Sequence, residues 1–264
     1  MKTALALVLT ALLCLGAGCV DQPPSLQQKV PVLLYHHLLT EEENRLYREN
    51  GSVISTDEFE WQMKWLHDNG WQTVSSRELI DFLYEGKALP KKSVLITFDD
   101  GYASNLRYAA PVLRQYGYTA VIFVSGTLLA QQPAPWDGDE LQMMDPESMR
   151  DYTDVFEFHS HSYALHATDA DGQPLMLSQT AVSLAEDTQA NLAFCTANTL
   201  YAYPYGAFNE NTLTVLPQHG VRAAFTTKQG YASLQGDPMQ IGRFIVFPGT
   251  SQSRFIHYLE EALS

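Results

Sequence analysis

The chain has 264 residues, 45% of them hydrophobic and 11% aromatic, which is enough to bury a sizeable core without disulfides. Its 16 Lys and Arg against 30 Asp and Glu give a net charge of −14. The basic residues are scattered singly, so no stripe exists to neutralise phosphates, and nucleic acid is excluded as an expected partner.

The first predicted element is an export signal. Lys2 precedes an apolar run from Ala4 to Leu15, which ends in the small residues Gly16-Ala17-Gly18 before Cys19. The run is shorter than the roughly 20 residues of a spanning helix. The segment resembles a bacterial lipoprotein signal, which implies that residues 1–18 are removed and Cys19 is lipidated. Residues 19–29, with Pro23-Pro24, read as a tether, and residues 30–264 as one domain. The expected location is extracytoplasmic, with the lipid on Cys19 in the membrane; plain secretion is the alternative. Of the other cysteines, Cys14 lies in the signal, and Cys195 lacks ligand or redox spacing and reads as a small core residue.

From Val30 onward apolar strand-like runs alternate with amphipathic segments. Strands are predicted at Val30–Tyr35, Trp71–Val74, Val94–Phe98, Thr119–Val124, Phe156–His161, Tyr201–Tyr203, Ala223–Thr226 and Ile241–Val246. Helices are predicted at Asp57–Asn69, Arg77–Tyr84, Asn105–Tyr116, Ser178–Phe194, Asn209–His219 and Ser251–Leu263. Such alternation predicts a parallel sheet covered by helices, either open or closed into a barrel. The polar stretches Thr40–Ser55 and Gln131–Asp145 are candidate rims of a cleft.

Four segments place chemistry at strand ends. Val94–Phe98 runs into Asp99-Asp100-Gly101, and the glycine lets two adjacent carboxylates leave strand alternation, one free to bind a metal and the other to act as a base. Taken alone, Asp-Asp-Gly also reads as a turn. His159, His161 and His166 follow another apolar strand; the five-residue step from His161 to His166 allows convergence only across a strand-to-loop boundary. Tyr201-Ala202-Tyr203-Pro204-Tyr205-Gly206 is a short aromatic strand closed by Pro and Gly. Val30–Tyr35 ends in His36-His37, where an imidazole suits acid catalysis near neutral pH.

In this order the segments resemble the polysaccharide deacetylases of carbohydrate esterase family four, or NodB-homology domains, over about Val30 to Ser264. The resemblance implies an α/β fold, a distorted (β/α)7 barrel, and metal-dependent hydrolysis of N-acetyl groups. It makes Asp99 the general base and Asp100, His161 and His166 the ligands of a divalent metal, zinc first, with cobalt or nickel as alternatives. Tyr205, with Pro204 and Tyr203, is implied for the oxyanion and substrate, Tyr205 through its backbone N–H. The longer histidine spacing and Tyr35-His36 resemble the branch that deacetylates poly-N-acetylglucosamine exopolysaccharides, whose strand order is permuted; His36 is then the acid, in preference to His37. Peptidoglycan or chitin oligomers are alternative substrates, and a non-catalytic carbohydrate- or zinc-binding lipoprotein is the reading from another class. Two positions depart from the family. Ala202 stands where an arginine commonly orients the base, and Phe255-Ile256-His257 is a poor echo of the C-terminal motif, so His257 reads as a surface or packing residue.

Overall fold

A computed structural model describes residues 28–264; the expected signal and most of the tether lie outside them. In chain order the elements are β1 (Lys29–Tyr35), β2 (His37–Leu39), β3 (Val53–Ser55), α1 (Thr56–Asp68), β4 (Gln72–Thr73), α2 (Ser76–Glu85), β5 (Ser93–Asp100), α3 (Ala110–Tyr116), β6 (Ala120–Val124), α4 (Pro146–Met149), β7 (Phe156–Ser160), α5 (Ala181–Asn191), β8 (Leu200–Ala202), α6 (Glu210–Gln218), β9 (Ala223–Phe225), β10 (Tyr231–Ser233), β11 (Phe244–Ile245) and α7 (Gln252–Glu260). Lys29, assigned above to the tether, is already the first residue of β1.

The main sheet runs β10-β1-β5-β6-β7-β8-β9, with β11 also paired to β1. All neighbours from β1 to β9 along this path are parallel, as is β11 on β1, and β10 alone is antiparallel. The curled sheet closes through residues 241–246, which change partner midway. Ile241 N–H donates to Ala224 O at 2.9 Å and Thr226 N–H to Ile241 O at 2.8 Å, on the β9 side; Val246 N–H then donates to Leu34 O at 3.0 Å, on the β1 side. Hence the predicted strand Ile241–Val246 survives as the two-residue β11. Counting it, the parallel strands that run round the barrel, β1, β5, β6, β7, β8, β9 and β11, number seven, in agreement with the expected barrel, and the two-residue β4 adds a short parallel pair at the start of β5.

Alternation along the strands divides the core in two. Leu33, Tyr35, Ile96, Phe98, Ile122, Val124 and Phe158 pack outward against the helices. Val32, Leu95, Val121, Phe123, Leu200 and Phe225 pack inward with Leu79, Ile80 and Phe82 of α2, which plugs the end where the strands begin. Each large apolar side chain so buried contributes about 1.5–3 kcal/mol. Ser55 and Ser75 start α1 and α2 with reciprocal capping by Glu58 and Glu78. Glu157 ties the plug to the barrel, accepting from Ser76 N–H at 3.0 Å and also from the Ser76 hydroxyl. The opposite end, where strands finish, is left to the candidate site.

Candidate active site

At the end of β5 the turn begins one residue earlier than the sequence predicts: Asp100 itself has φ 75°, followed by Gly101 at φ 92°. The two carboxylates therefore serve one cleft. Asp99 is gripped by Arg243, whose Nη1 and Nη2 each donate to one carboxylate oxygen at 2.7 Å. Nε of Arg243 donates to Thr226 O at 3.0 Å, and the side chain is fully buried. Burial acts to raise the Asp99 pKa, but the Arg243 guanidinium, with His161 and His36, holds it below the usual carboxylate range. Asp99 thus has a buried arginine partner although position 202 is alanine. Sequence reasoning missed Arg243, although its signal is present as a lone charge in the apolar run Ile241–Val246.

His161 donates from Nδ1 to Ala202 O at 2.7 Å, since a carbonyl only accepts. That leaves Nε2 bare in the neutral ring, and burial pushes the His161 pKa down against the pull of Asp99 and Asp100. His166 arrives across the predicted strand-to-loop boundary. Ser162 takes φ 73°, and Asp187 of α5 accepts the N–H groups of Tyr163 at 2.9 Å and Ala164 at 2.8 Å. Asn191, one turn along, donates to Val124 O and Ser160 Oγ, both at 2.8 Å.

Asp100, His161 and His166 meet, each offering a ligand atom within 4.8 Å of the others. Asp100 Oδ1 lies 3.1 Å from His166 Nε2 and 3.5 Å from His161 Nε2, yet it is buried and has no aligned hydrogen-bond partner. Three lone pairs converging on one point, with a carboxylate oxygen otherwise orphaned, fit a divalent cation better than a hydrogen-bond network. Two imidazoles and one carboxylate suit zinc-like metals.

His36 follows β1, half-buried, its carbonyl accepting from Asn105 Nδ2 at 2.7 Å. Asn105 opens a π-helical turn, Asn105–Ala109, ahead of α3. Next to it, His37 is buried away from the metal cluster, with Nδ1 2.9 Å from Ser104 Oγ and its ring against Tyr102 and Trp136. Burial pushes its pKa down to about 4, so it stays neutral. His159 also falls outside the cluster: its Nδ1 accepts from Leu200 N–H at 3.2 Å, and its Nε2 faces Glu157 at 3.4 Å inside the barrel. Of the three histidines behind the zinc-binding alternative, His161 and His166 therefore meet and His159 does not join them.

The third segment is corrected in part. Tyr203, expected at the substrate, is fully buried, donates to Met239 O at 3.0 Å and packs on Phe208; Pro204 is buried too. Only Tyr205 emerges, 47% exposed, at φ 58°, its ring centroid 4.7 Å from that of His166. Cys195 and His257 behave as expected: burial pushes the Cys195 thiol up to about 12, and His257 is exposed beside Glu261. The two predicted rims lean on each other through Glu43, which accepts from Trp136 Nε1 at 2.9 Å and from the Tyr108 hydroxyl at 2.6 Å.

Known proteins share this frame. The family model described as "Polysaccharide deacetylase" matches residues 86–224. Bacillus subtilis YxkH, which carries a provisional polysaccharide deacetylase name, is 32% identical over 235 residues, 88% of this chain and 76% of its own length. A Staphylococcus aureus poly-beta-1,6-N-acetyl-D-glucosamine N-deacetylase is 23% identical over 214 residues, covering 78% of this chain and 71% of its own. The solved structure of IcaB from Ammonifex degensii superposes with a TM-score of 0.73 at 28% identity, over 90% of this chain and 98% of that one. The chain belongs to the polysaccharide deacetylase family.

Proposed function

We propose that this deacetylase is metal-dependent, with Asp100, His161 and His166 holding a zinc-like ion, and that it releases acetate from an extracellular poly-N-acetylglucosamine. The observation that carries the reading is the convergence of these three groups beside an Arg243-clamped Asp99. In sites of this donor set the ion lowers the pKa of water toward about 7 and polarises a carbonyl oxygen.

The chain's own groups do the rest. Asp99, kept ionised, takes a proton from the water that attacks the acetamide carbon, and Arg243 positions the carboxylate without touching substrate. The Tyr205 N–H donates to the oxygen on which negative charge develops, an effect typically worth about 3–4 kcal/mol per donor. As the C–N bond breaks, His36 protonates the leaving amine; such acid catalysis contributes on the order of 100- to 10,000-fold. Acetate and a free amino sugar remain. The polymer assignment is supported by the name of the Staphylococcus aureus relative and by the five-residue histidine step.

Acetate release from poly-N-acetylglucosamine, chitin oligomers and peptidoglycan, scored with and without zinc, tests the reading. Asp100→Ala, His161→Ala and His166→Ala are expected to abolish release and lower bound zinc, and Asp99→Asn to abolish release with zinc retained. Full activity in the metal-stripped chain would refute it.

A further inference from the structure

Phe247 leaves 49% of its surface to solvent at the end of the barrel where the site lies. The ring is carried on a built turn, Phe247-Pro248-Gly249-Thr250. Thr250 N–H donates to Phe247 O at 3.0 Å, proline fixes the second position and Gly249 has φ 72°, the requirements of a type II turn. Glu58, which caps α1, also accepts the Gly249 N–H at 2.7 Å, so the turn is pinned to that helix.

The position of the ring follows from register. Leu34 pairs with Ile245 in parallel, so β1 and β11 run to the same end of the barrel, and His36 and Phe247 each lie two residues beyond that pair. A Cβ at Gly51 would stand 3.6 Å from the ring, so the rim loop lies along one side of it. Tyr205, exposed to a similar degree, packs against His166 of the proposed metal cluster with the ring planes tilted by 36°. Tyr84, exposed as well, has its face covered by Arg222 at 4.1 Å. Past the turn, Trp61, Asp57, Gln62 and Gln252 line a pocket of about 420 Å³.

The geometry points to Phe247 as a stacking platform for a pyranose flanking the one being deacetylated, with the polymer continuing toward the Trp61 pocket. Sugar rings present apolar C–H faces that pack on aromatic rings. The inference rests on the N-acetylglucosamine polymer reading and adds that the enzyme works within a chain rather than on single sugars.

The test uses the full, zinc-loaded protein and N-acetylglucosamine oligomers from dimer to pentamer. Phe247→Ala is expected to lower the ratio of pentamer to dimer kcat/KM at least tenfold, mainly through KM, and Phe247→Trp to restore it. A ratio that stays within twofold overturns the platform. Calorimetry of the pentamer with the Asp99→Asn chain provides a second readout: Phe247→Ala is expected to raise Kd at least fivefold, and an equal Kd overturns the proposal. No acetate from any oligomer with the unmutated protein would instead sink the N-deacetylase reading, and calorimetry would still decide the platform.

Discussion

Arg243 and Asp99 form a fully desolvated pair, two N–H···O contacts of 2.7 Å between side chains at most 3% exposed. Removing one partner of such a pair costs about 3–5 kcal/mol, because the other charge stays buried and unpaired. Arg243→Met is therefore expected to lower the unfolding free energy by that order and kcat/KM by more than 100-fold, with zinc content retained; urea melts, kinetics and metal analysis check this. The pH dependence has a defined sign. Asp99 has a folded pKa below the unfolded value of about 3.9, so its contribution to stability is whole above that value and is lost as pH falls through the folded one. The acid fall in Tm should be shallower in Arg243→Met. Asp99, Asp100 and His161 were legible in sequence because they stand at the ends of apolar strands, and His166 because the family resemblance reaches it across the loop. Arg243 was not, because its meaning depends on a partner 144 residues away, brought near only when the sheet closes.

The five-residue step from His161 to His166 is made possible by α5. Asp187 takes two N–H groups of the intervening loop, and Asn191 ties the same helix to the ends of β6 and β7. Asp187→Ala should leave α5 formed, since Thr180 caps it, while weakening zinc affinity about 10- to 100-fold, as loss of outer support for metal ligands typically does. Competition with a chelating dye measures this; an unchanged affinity would remove α5 from the site. The long elements, α1, α2 and β5 through β7, were legible from periodicity to within a residue or two. The small β2–β3 sheet, α4 and β10 were missed: they lie in or beside polar loops, without the aromatic and apolar runs that marked the equally short β8 and β9. The π-helical turn at Asn105–Ala109 was read as plain helix, its departure being set by tertiary bonds such as Asn105 to the carbonyl of His36.

On the scale of the whole molecule, the direction of β1 orients everything else. The chain enters at Lys29, at the end plugged by α2, and reaches His36 at the opposite, catalytic end. We propose that Cys19 carries a lipid; the residues between it and Lys29, at most about 3.3–3.6 Å each, would then tether the domain by the end opposite the cleft. Cys19→Ala is expected to shift the protein from membrane to soluble fractions with acetate release intact; retention in the membrane fraction would refute the anchor. A last consequence concerns the backbone. Asp100, Ser162 and Tyr205 are three of the four non-glycine residues with left-handed φ among the described residues; Asp100 and Tyr205 stand at the site, and Ser162 opens the loop that carries His166. Each such conformation costs roughly 1–2 kcal/mol for a residue bearing a Cβ. Glycine would relax any of them, yet at Asp100 it would erase a proposed ligand. Stability and turnover thus pull the sequence in opposite directions at Asp100, and variants selected for heat resistance alone should drift toward glycine there and lose the reaction.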